Sequence, residues 1–254
     1  MRLLFAELLK IRTAPRTTLG LVLGLLLLVG LGSAATAVDA DSSALAREAT
    51  WDVVRVTSIA AIFTLILGIL VVTWEYRHGT ITQTFLVTPR RERVIGAKFA
   101  VSFVVGVVLA AAAVALALVV ATFWVSLELE REHWELAGRM LLSAALWGVL
   151  GAGLGALLQS QVGAIVTSFV WFLVAEPLLG VTVEALTDRQ IDDYFPGSAL
   201  DRLQGAGAVE VGVEEIVIGA DYPYGLWAAA LIAAGYAAAL AALGLLSAVR
   251  RDVP

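Results

Sequence analysis

Cysteine is absent from the 254 residues, and only 15% of them are charged while 60% are hydrophobic. Without thiols the chain forms no disulfide and no thiolate metal site, and cysteine usage says nothing of its redox compartment. Soluble domains carry roughly a quarter charged residues. The shortage of charge, with a mean hydropathy of +0.89, points to lipid as the solvent of the fold. The phosphate-binding pattern G-x-x-x-x-G-K-[ST] is also missing; "VIGAK", Val94–Lys98, lacks its first glycine and its hydroxyl residue. The chain is therefore not expected to hydrolyse ATP or to bind a cofactor itself. Basic residues are few, lie at the membrane and lack aromatic interleaving, which argues against nucleic acid as a partner.

Uncharged sequence, by contrast, is present in quantity. Thr17–Val38, Val56–Trp74, Phe99–Ser126, Met140–Ala175 and Tyr222–Val249 contain no charged residue. A helix needs about 20 apolar residues to cross a hydrocarbon core of roughly 30 Å. The fourth run is too long for one crossing and is broken by "QSQ", Gln159–Gln161, which reads as a tight polar turn. The expected fold is an all-α integral membrane protein with six spans, near residues 17–38, 53–74, 99–126, 140–158, 162–183 and 224–249.

The charges are sorted by side. With the N-terminus in the cytoplasm, inside segments hold 11 of the 17 basic residues, and outside segments hold 17 of the 22 acids. Lys and Arg excess marks the cytoplasmic side, so both termini and the segment 75–98 are expected there, in a multi-pass protein of the plasma (inner) membrane. A basic start, a Leu-rich core and "ATA" at Ala35–Ala37 imitate a secretory signal. The core is longer than an ordinary signal core and further spans come after it, so an uncleaved first span is expected.

Before that span, residues 1–16 place Leu4, Leu8 and Ile11 at helical spacing beside Phe5. This predicts an amphipathic helix in the inner interface, contacting membrane lipid and ending near Pro15. Outside, Asp39–Asp52 and "LELEREHWELAGR" are short acidic loops, the latter expected to be helical. The long outer loop 184–223 contains "SALDRLQ", a short helix that Ser198 could cap, with Leu200 and Leu203 on one face and Asp201 in its first turn. Val209, Val211 and Val213 then alternate as in a strand. Gly151 and Gly155, four apart, suit close helix packing within the bundle.

The segment Trp74–Phe99, "WEYRHGTITQTFLVTPRRERVIGAKF", is mixed where its neighbours are apolar. Glu75 stands where the second span ends, Gly79 and Thr80 can turn the chain, and Thr80 can cap the helix after it. Ile81, Phe85 and Leu86 are spaced for a short helix near the membrane surface, stopped by Pro89. Arg90, Arg91 and Arg93 form a basic cluster, and Lys98 marks re-entry. On these residues alone, a loop that only fixes topology and a surface built to be touched by another protein are both open.

Three other places are candidates for chemistry. Glu176 is the one ionisable residue deep in a span, and Pro177 after it removes the backbone bond to the Leu173 carbonyl, so a kink is expected. Its carboxyl either closes that gap structurally or lies on a substrate or proton path. Glu130 and His133 have the i, i+3 spacing known from di-iron helices, but no second copy exists, and a solvated outer helix is expected. Asp192 and Asp193 read as loop solvation. His78 and His133 fall on opposite sides, and no catalytic triad is legible; an enzyme is not expected.

Glu75, Gly79–Thr80, Thr84, Leu86, Pro89–Arg90–Arg91 and Lys98 together resemble the loop between the second and third spans of ABC-2 type permeases, the membrane subunits of ATP-driven exporters. Six spans, an N-terminal interfacial (elbow) helix and a large outer loop before the last span are also similar, over nearly the whole chain. The outer loop here is more acidic and less hydrophobic than the family's re-entrant hairpins. The resemblance implies a coupling helix that docks into a separate ABC ATPase subunit through Glu75, Arg77, Gly79, Thr80, Thr84, Leu86, Pro89, Arg90, Arg91 and Arg93. It implies ATP and Mg on that partner, and a second permease chain, a homodimer in preference to a heterodimer, with the substrate path at the interface. The alternative is a proton-coupled secondary transporter using Glu176; the sequence shows neither further buried charges nor an inverted repeat to support it.

Overall fold

A computed structural model of the chain describes Glu7 and residues 15–39, 46–87, 90–124, 127, 129–187, 191–205 and 224–250. Among the described residues every regular element is helical and none is a strand. Six helices are long and apolar enough to cross a bilayer, and the protein is a multi-pass membrane protein. The first is α1, Pro15–Asp39. The second is composite: α2, Ala46–Val56, runs through a 3₁₀ turn, Thr57–Ile59, into α3, Ala60–Arg77. A short helix α4, Ile81–Val87, separates it from α5, Arg91–Ala121. The fourth is α6, Arg131–Leu158. The fifth joins α7, Gln161–Val170, to α8, Glu176–Thr187, through a π turn at Trp171–Ala175. Helix α9, Pro196–Leu203, precedes the sixth, α10, Leu226–Arg250.

The interfacial helix expected over residues 1–16 lies outside the described residues except for Glu7, Pro15 and Arg16, and the Val209–Val213 alternation lies outside them altogether. Pro15 is the first residue of α1, where a proline loses no hydrogen bond. Helices α5 and α6 start at Arg91 and Arg131, well ahead of the uncharged runs, because backbone hydrogen bonding continues where the hydrocarbon stops. The "QSQ" turn is formed by Gln159 in the left-handed region, φ 53°, and by Ser160, whose hydroxyl accepts the Gly163 N–H at 3.2 Å and caps α7.

Helix α6 is the centre of the bundle, packing against α3, α5 and α10. Lipid gives apolar helices little reason to associate, so close backbone approach must supply the contact. A side chain at Gly68 would overlap the Gly148 carbonyl, and one at Gly151 the Leu65 carbonyl; at Gly106 a Cβ would lie 2.7 Å from the Ala144 oxygen. The small residues are thus a seam inside one chain. Gly151→Ala is expected to force α3 and α6 apart and to cost about 1–3 kcal/mol, the usual range for overpacking, read as a lower unfolding midpoint in mild detergent.

The two faces differ. One carries the ends of α3 and α10 and the start of α5, with Arg77, Arg90 and Arg93 exposed; it is the basic face. At the opposite, acidic face Phe123, Trp124, Trp134 and Trp227 are exposed near the helix ends, the position of an interfacial aromatic belt.

Candidate functional site

At the basic face the second span ends in a glycine stop. Gly79 has φ +67°, its N–H donates to the Tyr76 carbonyl, and the Thr80 N–H reaches back to the Glu75 carbonyl at 3.0 Å. These two bonds close the last turn of α3 in a Schellman arrangement, which needs a residue free to adopt positive φ. The chain then reverses directly into α4, whose Thr84 N–H bonds the Thr80 carbonyl at 3.2 Å.

One side of α4 is fixed and the other is bare. Ile81 is fully buried against Val94, Ile95 and Ala248, with Tyr76, Phe99 and Leu245 around them. Leu86, in contrast, is 78% exposed. Arg77 donates from its guanidinium to the Gln161 side chain at 3.0 Å, and Arg91 reaches the Val249 carbonyl at 3.5 Å. The loop residues are therefore tied to α7 and to the end of α10 as well as to their own spans. Pro89 lies outside the described residues.

Beneath this surface is a charge cluster that sequence reading missed. Lys98 is 1% exposed. Its ammonium stands 2.8 Å from Glu7 Oε2, 3.3 Å from Glu75 Oε1 and 3.2 Å from the Val71 carbonyl. An ammonium has three protons to donate, and three acceptors meet it. Lys98 does not merely mark re-entry of the chain: it joins the N-terminal segment, the end of α3 and the start of α5. The expectation that no buried charge accompanies Glu176 is corrected with it, since Glu7, Glu75 and Lys98 are all buried. Such a cluster is weak evidence for net stability, because desolvation offsets the attraction, but losing one member leaves the others uncompensated.

Glu176 occupies the opposite half of the molecule. Its Oε1 accepts the Gly197 N–H at 2.8 Å and the Ser198 N–H at 3.3 Å. These are first-turn donors of α9, which have no partner within the helix, and a carboxylate there also meets the positive end of the helix dipole. Helix α9 starts two residues before the expected position, with Pro196 in its first turn and Phe195 as the boundary residue. Ser198 is thus not its cap, and Asp201 is not in its first turn; the cap comes from a span. Leu200 and Leu203 share the buried face. The irregularity expected at Pro177 takes the form of the π turn just before it, where the Glu176 N–H bonds the Trp171 carbonyl.

Two acidic-face residues expected to be solvated are buried. His133 lies in the first turn of α6, where its Nδ1 accepts the Glu130 N–H at 3.1 Å and its ring meets the Trp51 ring at a tilt, centroids 4.5 Å apart. Asp193 is buried too, its carbonyl accepting the Tyr224 hydroxyl. Burial, with the Asp192 charge beside it, pushes the Asp193 carboxyl above the usual carboxylate range. Among the described residues no three His, Asp or Glu side chains gather as a metal-binding group.

Comparison with models of known protein families finds no match, and comparison with curated proteins finds no significant relative.

Proposed function

We propose that the chain is the permease subunit of an ATP-binding cassette exporter of the ABC-2 type, working with a separate ATPase subunit that holds ATP and Mg. The observation that carries this reading is α4: a short helix at the basic face, anchored on one side by Ile81, with Leu86 exposed on the other. A leucine so exposed, on a face that also exposes Arg77, Arg90 and Arg93, suits a protein contact with apolar and basic groups. The same segment is tied to α3, α5, α7 and α10, so a push on α4 reaches four helices as a rigid-body displacement.

The excess of Lys and Arg favours a cytoplasmic basic face, where an ATPase would meet it. Two ATPase subunits would engage two permease chains, a homodimer in preference to a heterodimer, with the substrate path between protomers. A proton-coupled transporter centred on Glu176 is less well supported: its Oε1 is engaged by two backbone donors of α9, and the buried cluster of Glu7, Glu75 and Lys98 lies at the far end. Uptake of a fluorescent lipophilic probe into inverted vesicles separates the two. The exporter reading expects vanadate to stop uptake and a proton uncoupler to spare it; the reverse pattern supports the proton-coupled reading.

A further inference from the structure

Span five is built in two unequal halves. Its first half, α7, packs against α6 and α3. Its second half, α8, turns almost every side chain outward: Leu178, Val181 and Leu186 are all more than 60% exposed. Of its twelve residues only Glu176 and Gly180 are buried. Glu176 meets the first turn of α9, and Gly180 meets the turn that precedes it. Glu176 receives the Gly197 and Ser198 N–H groups, and a Cβ on Gly180 would stand 2.7 Å from the Asp192 Cβ.

The far side of this contact is firmly held. Ala199, Leu200 and Leu203 are buried in the same core as Trp147 and Leu150 of α6 and Ala229 and Ala233 of α10. Ser143 of α6 donates to the Leu200 carbonyl at 3.3 Å and accepts from the Gln204 side chain at 2.9 Å. The near side has a break in its own ladder. The π turn at Trp171–Ala175 and the missing N–H of Pro177 bracket Glu176, and such turns are where helices bend.

We infer that Glu176 is a latch: it fastens α8 to the fixed helix α9, and α8 swings about the π turn when the carboxylate lets go. The fit is close at the contact itself, since a Cβ on Gly197 would lie 2.6 Å from Glu176 Oε1. A carboxylate on two backbone donors is a charge-assisted, directional attachment. It is also small enough to open and close as a unit, unlike a broad apolar seam. The device goes beyond the proposed function and holds for any energy source.

Because the chain has no cysteine, spin labels can be placed without background. Labels at Leu186→Cys on α8 and Trp227→Cys on α10, both exposed, report the distance between the arm and its frame in lipid nanodiscs. The latched protein is expected to give one dominant distance. Glu176→Leu removes the acceptor of both N–H groups, and Gly197→Ala pushes it away; each is expected to raise the ratio of a second, longer distance to the first by on the order of tenfold or more, since one charge-assisted hydrogen bond alone is worth about that factor. An unchanged distribution in folded variants overturns the latch. So does failure of both variants to fold, which would make Glu176 a purely structural group. Neither outcome touches the ATPase reading, which is tested by co-purification.

Discussion

Replacing Lys98 by methionine is expected to lower the unfolding free energy by about 3–5 kcal/mol, the usual consequence of removing one partner from a buried ion pair. The side chain is nearly isosteric, so little packing is lost. The variant is left with a pair of buried carboxylates, Glu7 and Glu75, facing the place where one ammonium stood 2.8 Å and 3.3 Å away. Two comparisons identify the cause. Glu75→Gln keeps an acceptor and should cost less than Lys98→Met. Lys98→Met combined with Glu7→Gln and Glu75→Gln removes every charge and should recover much of the loss, since neutral replacements of buried charge networks are often tolerated. Raising the salt concentration should not reproduce the single-variant effect, because buried pairs are weakly screened. Unfolding midpoints in one detergent, compared across the four proteins, give the answer. If the triple variant is as unstable as Lys98→Met, the loss comes from packing and not from uncompensated charge.

The second expected result concerns the partner. Replacing residues 82–90 with a Gly/Ser linker of equal length removes Leu86 and the exposed Arg90 while leaving the Ile81 anchor, the Gly79 turn and all of α5. Of these residues Thr82, Gln83, Leu86 and Arg90 are exposed and Thr84 half-buried, so the variant should purify and unfold like the wild type. The proposed ATPase partner should be lost, with recovery falling on the order of tenfold or more, as expected when the centre of a protein contact is deleted. Leu86→Asp alone should give a smaller loss in the same direction. Quantitative mass spectrometry of both purified proteins reads this directly. Retention of the partner by a folded linker variant would move the docking surface away from α4.

The six spans were legible because lipid imposes a simple demand, a run of apolar residues about 30 Å long when helical, and a charge inside such a run is conspicuous. The glycine turn at Gly79 and the helix after it were legible for a similar reason: they are local. The features that escaped are long-range. Lys98 reads as a flank of the third span until folding brings Glu7, ninety-one residues away, to its ammonium. The buried position of His133 depends on Trp51 arriving from α2. Glu176 was conspicuous, but its partners are backbone N–H groups, which have no signature in sequence. The start of α9 is not legible locally, because the acceptor of its first-turn N–H groups comes from a span and not from a side chain within the segment. The exposure of Leu86 against the burial of Ile81 was also invisible, since both are simply apolar letters on a short helix.

The central claim is that this chain moves cargo only with an ATPase seated on α4. The most direct measurement is purification of the tagged, unaltered chain from its native host in mild detergent, with the co-purifying proteins identified and counted. The account predicts an ABC ATPase in near-equal amount. A chain that purifies alone, and that transports in proteoliposomes without ATP, would contradict it.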